Sequence, residues 1–169
     1  MHIQRATIDD VPGIIRVCTK GYWATYRELV SDEYIERICN EFYNEERVTS
    51  EVTSIDERWV GYIVAIEDGQ VIGAGGGGML SANRSEVYVL YLDPDRRNEG
   101  IGSKILAEIT AQQMNLGATE QWVSVQEGNQ KGIPFYEAKG FIYESRVKAY
   151  ANTEDERYVN LRYRRTIGT

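Results

Sequence analysis

Histidine occurs once in these 169 residues, at His2, and cysteine twice, at Cys18 and Cys39. A Ser-His-Asp or Cys-His site would have to take its only base from a loosely held chain end, which excludes that chemistry. Structural zinc wants four Cys/His ligands and only three such residues exist, so no metal is expected. Two separated cysteines build no disulfide framework and point to a reducing, cytoplasmic setting. No apolar run nears the ~18 residues of a membrane span. The first twenty residues carry Arg5, Asp9, Asp10, Arg16 and Lys20 rather than a leader, so no membrane partner is expected. Basic residues are outnumbered: 19 Lys+Arg stand against 26 Asp+Glu, a net charge of −7. That disfavours nucleic acid, whose binding is mostly phosphate neutralisation, and it mildly favours a cationic substrate such as an amine. The chemistry must therefore run on carboxylates, tyrosines, backbone groups or a bound cofactor.

With 42% hydrophobic residues, one globular domain spanning residues 1–169 is expected. His2–Thr7 alternates as a strand. Asp9, Asp10 and Pro12 open a helix with Ile14, Ile15, Val17 and Cys18 on its apolar side. An aromatic-rich stretch follows, Gly21–Leu29. Ser31-Asp32-Glu33 opens a second helix carrying Tyr34, Ile35, Ile38, Cys39 and Phe42. Trp59–Ile66 and Gln70–Gly78 read as strands joined by the Asp68-Gly69 turn. Glu86–Leu92 is a further strand, stopped by Asp93-Pro94-Asp95. Gly100–Leu116 is an amphipathic helix ended by Gly117. Trp122–Val125 is a short strand and Asn129–Lys139 a short helix. Phe141–Tyr150 and Arg157–Arg165 form a final hairpin. The pattern predicts an α/β chain with a mixed seven-stranded sheet and about four helices on its faces.

Two segments are rich in glycine. Gly73-Ala74-Gly75-Gly76-Gly77-Gly78 formally matches the dinucleotide motif, but no helix follows it to hold a pyrophosphate. A flat strand on which something packs closely explains it better. Arg97-Asn98-Glu99-Gly100-Ile101-Gly102 does lie between a strand and a helix. There, main-chain amides and the helix dipole favour an anion, with Arg97 to help position phosphates. Gly102-Ser103-Lys104 has the wrong order for a P-loop.

The strand Glu86–Leu92, the R-x-x-G-x-G segment from Arg97, its helix, and Asn129-x6-Tyr136-x3-Gly140-Phe141 together resemble the GCN5-related N-acetyltransferase (GNAT) superfamily. The resemblance covers the whole chain and is strongest over Tyr88–Phe141. It implies a GNAT-like acyl-CoA N-acyltransferase fold and acetyl-CoA as co-substrate. In that family the strand carries a bulge and splays from its neighbour, and the pantetheine arm enters the gap. By that resemblance Leu90, Tyr91 and Leu92 meet the pantetheine and thioester. The amides of Asn98, Glu99, Gly100, Ile101, Gly102 and Ser103 take the phosphates, and Asn129 bonds the pantetheine. Asn98-Glu99 stands where Gly-Lys or Gly-Gln is frequent, so Glu99 is expected to turn to water. Gly132 and Pro134 also depart from the pattern. With Asn129 as N-cap, Pro134 would fall at the fifth helical position and remove a hydrogen bond.

In this family the acceptor amine attacks the thioester directly. It must lose a proton, and the leaving thiolate must gain one. Tyr136 resembles the family tyrosine that protonates the sulfur, although a tyrosine in such a place also serves as core. With no histidine available beyond the chain end, the expected base is a carboxylate, acting directly or through water. Glu86 is the first candidate, against a plain solvated strand end, and Glu28 and Asp32 rank behind it. Tyr22, Trp23, Tyr26 and Tyr150 are candidate walls for the amine by cation–π contact, with ordinary packing as the competing explanation. Cys18 and Cys39 read as small buried apolar residues. The expected partner is a small-molecule or peptide amine, and the last two strands offer a route to a homodimer by pairing or exchange. A non-catalytic acyl-CoA-binding module of the same fold is the alternative function.

Overall fold

The computed structural model describes residues 1–168. Seven strands form one mixed sheet in the order β1-β2-β3-β4-β5-β7-β6. They are β1 (His2–Arg5), β2 (Tyr62–Glu67), β3 (Gln70–Met79), β4 (Arg84–Leu92), β5 (Glu120–Gln126), β6 (Ile142–Lys148) and β7 (Val159–Thr166). Only the β4–β5 pairing is parallel. The helices are α1 (Val11–Tyr26), α2 (Asp32–Phe42), α3 (Glu45–Thr53), α4 (Ile101–Asn115) and α5 (Gly132–Ala138). A 3-10 turn, Ile8–Asp10, leads into α1, and Asp10 folds back to accept from the Thr7 amide at 2.8 Å.

β2 reads as a continuous apolar run because both of its faces are covered. Tyr62 and Val64 face a core built with α1, α2 and α3, where Ile14, Val17, Ile35 and Val48 are fully buried. Ile63 and Ala65 face the opposite core, with Ile101, Ile105, Leu106 and Ile109 of α4.

Among the described residues five helices flank the sheet, where about four are expected. The additional one, α3, buries only Val48 and Val52, so its apolar stripe is too thin to show as a period; Asn44 caps it by accepting from the Arg47 amide at 2.8 Å. α1 also continues through the aromatic stretch to Tyr26.

The glycine run is the middle of β3, and what packs on it is visible. A Cβ on Gly78 would lie 1.8 Å from the carbonyl oxygen of Arg58, and one on Gly76 2.5 Å from the Trp59 ring. The segment before β2 is thus laid directly on the sheet, which only a strand without side chains allows.

Candidate active site

β4 is the strand on which the site is built. Gly76 pairs with Val89 and Gly77 with Val87, so Tyr88 is the extra residue of a bulge. The bulge leaves the Glu86 carbonyl turned toward α4, where the buried Gln113 side chain donates to it at 2.8 Å. Gln121, wholly buried, donates in turn to Gln113 at 2.8 Å and accepts from Arg165. This chain of amides satisfies polar groups that burial would otherwise leave unpaired.

Pairing between β4 and β5 ends at Val87 and Val123. From Tyr88 to Leu92 the edge of β4 that faces β5 has no strand partner, while β5 runs on beside β7 to Gln126. A cleft opens there, lined by Leu90, Tyr91, Leu92, Arg97, Gly102, Asn129 and Tyr136 among others. The cleft meets a second cavity of about 600 Å³ at Tyr26, Val87, Tyr88, Val89, Tyr91 and Ser124. The bulge therefore stands between two chambers.

At one end of the cleft, Asn98 and Gly100 both take positive φ, 64° and 77°. Asparagine tolerates the left-handed region better than most residues, which is how it fills a place where glycine is frequent. Gly100 starts α4 with no side-chain cap, so the first amides of a 15-residue helix are left for another acceptor. Ile101 itself is buried in the core, so only its main chain is available. Glu99 does not simply turn to water. Arg96 donates to it through Nε and Nη2, both at 2.9 Å, and also bonds Glu67. The acid is neutralised on the outer side of the loop. Arg97 and Lys131, both cleft-lining and exposed, leave that end positive.

The Asn129 oxygen accepts from the amides of Lys131 and Gly132, at 3.2 and 2.8 Å. α5 begins at Gly132, later than expected, so Pro134 is its third residue. Its missing N–H belongs to the first turn, where no intrahelical partner exists, and costs nothing. Tyr136 is buried between Phe135 and Phe141, at centroid distances of 5.1 and 5.3 Å. Burial, and secondarily the nearby Tyr26, push its phenol above the ordinary value.

The second cavity holds Glu86, which is 8% exposed. Tyr22, Tyr26 and Tyr150 line it, whereas Trp23 packs against the α1 core and lines neither chamber. Tyr150 is 82% exposed and sits 6.3 Å from Phe42 at the rim. The exposed Glu28 and Asp32 also line neither chamber. Among the described residues no group of His, Cys, Asp or Glu is placed to hold a metal ion. No helix there is long and apolar enough to cross a membrane.

The family profile described as acetyltransferase (GNAT) family matches residues 20–141. The chain belongs to the GNAT acetyltransferase family. It is an acetyl-CoA-dependent N-acetyltransferase. A spermidine N(1)-acetyltransferase of Thermoplasma acidophilum is 29% identical over 148 residues, covering 85% of this chain and 89% of that protein. The crystal structure of the PaiA N-acetyltransferase of the same organism, in complex with coenzyme A, has a TM-score of 0.79 at 25% identity. It covers 95% of this chain and 96% of that one. Ard1 of Thermoplasma volcanium shares the fold, with a TM-score of 0.75 at 16% identity over 99% and 98% of the two chains.

Several features of this GNAT site carry no motif. Arg162 of β7 clamps Glu86, Gln113 holds its carbonyl, and Arg47, Glu51 and Arg58 line the second cavity. Each depends on which strand lies beside which, and no local spacing announces it. Glu51 comes from α3, the helix whose pattern is weak, and burial raises its carboxyl above the ordinary value despite Arg47 nearby. Burial likewise pushes the Cys39 thiol up to about 11, so it stays protonated and inert, in keeping with a small apolar role.

Proposed function

We propose that this protein transfers the acetyl group of acetyl-CoA to a primary amine of a small molecule or peptide. The observation that supports it is the meeting of the two chambers at the β4 bulge: a cleft fitted to an extended coenzyme on one side, a cavity fitted to a small acceptor on the other. The residues present suit the coenzyme. The stretch Leu90, Tyr91 and Leu92, which has no strand partner on its β5 side, offers a strand-like edge. The Asn98–Ser103 segment offers free amides with Arg97 close by, and the Asn129 side chain flanks the cleft.

Bound acetyl-CoA supplies an activated thioester, whose C–S bond breaks as the acceptor nitrogen bonds to the carbonyl carbon, the amine losing one proton and the thiolate gaining one. Tyr136 lines the cleft, keeps its phenolic proton through the neutral range and gives it to sulfur. Glu86 takes the amine proton through an intervening water, since its oxygens are occupied by Arg162. A main-chain N–H near Leu92 polarises the carbonyl.

The test is release of free thiol from acetyl-CoA with a panel of amino acids, peptides and polyamines; the Thermoplasma spermidine acetyltransferase is the reason to include the last. No release above background across the panel would sink the proposal. Tyr136→Phe is expected to lower kcat by about tenfold or more with little change in coenzyme affinity.

A further inference from the structure

The acceptor-side cavity contains two carboxylates, and each already has an arginine. Glu86 takes the fork of Arg162 at 2.8 and 2.9 Å, and Glu51 lies 3.6 Å from Nε of Arg47. Arg58 lines the same cavity and has no carboxylate within 4 Å among the described residues. Its charge is felt at the bulge. Burial and the Glu86 charge raise the Tyr88 phenol above its ordinary value, and the charges of Arg162 and Arg58 pull it back. Within the cavity Arg58 is thus the guanidinium without a carboxylate partner among the described residues.

A polyamine entering this cavity would bring further ammonium groups to a place with no unpaired carboxylate to receive them. An acceptor with an anionic group would find Arg58 free. The rest of the wall is aromatic, with Tyr34, Phe42, Trp59 and Tyr150. A volume of about 600 Å³ falls in the range of small-molecule sites.

We propose that the acceptor is an amine bearing a carboxylate, an amino-acid-like molecule with an apolar side chain, whose carboxylate is held by Arg58 while its amine reaches the β4 bulge. The inference rests on the acetyl-transfer reading above. The same positive surroundings disfavour an ammonium ion and favour the neutral amine, which is the nucleophile. Guanidinium recognises carboxylate by paired N–H bonds that an ammonium group does not match, so Arg58 sets specificity through geometry as well as charge.

Thiol release from acetyl-CoA is measured with L-leucine, L-phenylalanine and L-tyrosine, with the three matching carboxamides, and with spermidine and putrescine. The acids are expected to exceed both their amides and the polyamines by about tenfold or more in kcat/KM. Arg58→Glu is expected to lower the acid-to-amide ratio by at least about tenfold, and Arg58→Lys to keep part of it. The Arg58 side chain is exposed and makes no hydrogen bond among the described residues, so both variants are expected to fold. A preference for spermidine or putrescine, or an acid-to-amide ratio unmoved in Arg58→Glu, overturns the inference and leaves acetyl transfer standing. Release from none of the eight probes overturns the inference, and silence across the wider panel, peptides included, overturns acetyl transfer as well.

Discussion

Arg162 places both terminal nitrogens of its guanidinium on Glu86, Nη1 to Oε2 at 2.9 Å and Nη2 to Oε1 at 2.8 Å, across from β7 to β4. Nη1 also donates to Ser124 at 2.7 Å. The two side chains are only 20% and 11% exposed. The pair ties β4 to β7 over the intervening β5, close to where β4 and β5 part.

Removing one member of such a pair strands the other. Arg162→Ala is expected to destabilise the fold by about 3 kcal/mol, read as a lower urea midpoint. Arg162→Lys keeps a charge but loses the fork. It is expected to restore most of the stability while kcat stays low, because Glu86 is then free to rotate. Full recovery of kcat in the lysine variant would show that charge alone matters.

Arg96 links the loop before α4 to Glu67 at the end of β2 and to Glu99 within the loop. Arg96→Ala would release Glu99 beside the uncapped amides at the start of α4. We expect a higher KM for acetyl-CoA with kcat nearly unchanged, and partial reversal in Arg96→Ala/Glu99→Gln. Equal KM values in wild type and Arg96→Ala would count against this role for the clamp.

Gly78 has no room for a methyl group, and the obstacle is main chain rather than a side chain that can swing away. Gly78→Ala is expected to cost about 3 kcal/mol by forcing the Arg58–Trp59 segment off the sheet. Trp59 fluorescence should change along with the denaturation midpoint. Gly69 has open space around it but a φ of 75°, so Gly69→Ala is expected to cost only the strain of the left-handed region, about 1 kcal/mol, and to leave Trp59 fluorescence unchanged.

Burial holds the phenols of Tyr43, Tyr62 and Tyr91 well above the ordinary value near 10. The folded chain keeps these protons where the unfolded chain sheds them. Their contribution to stability is therefore complete below about pH 10 and declines as pH rises further. Urea midpoints should hold steady to about pH 9.5 and then drop, at up to ~1.4 kcal/mol per pH unit for each tyrosine. Tyrosinate absorbance should rise together with unfolding. Ionisation of these groups ahead of unfolding would contradict their burial.

The parts legible in the sequence are those with local causes. Gly100 marks a helix start, and the apolar period after it marks α4. The side-chain-free run 75–78 marks a strand under close cover. Other parts are set by neighbours far along the chain. Glu86 stands out as a candidate carboxylate, but nothing near it names Arg162, 76 residues away. Gln113 looks like an ordinary polar residue of α4 until the bulge turns a carbonyl toward it. α3 shows two apolar residues where a helix usually shows four. The start of α5 moved because Asn129 bonds the amides two and three residues ahead, which holds the chain in a turn first.

The parting of β4 and β5 leaves a row of peptide groups as a surface. Every amino acid except proline carries the same peptide N–H and C=O, so a substitution along this row alters no hydrogen-bonding partner it offers. The two faces of the parting therefore answer differently to substitution. The main-chain side keeps what it offers, while the Arg–Glu pairs of the facing cavity change their meaning with a single codon. A chain built this way can acquire a new acceptor without having to rebuild the grip on its acyl donor.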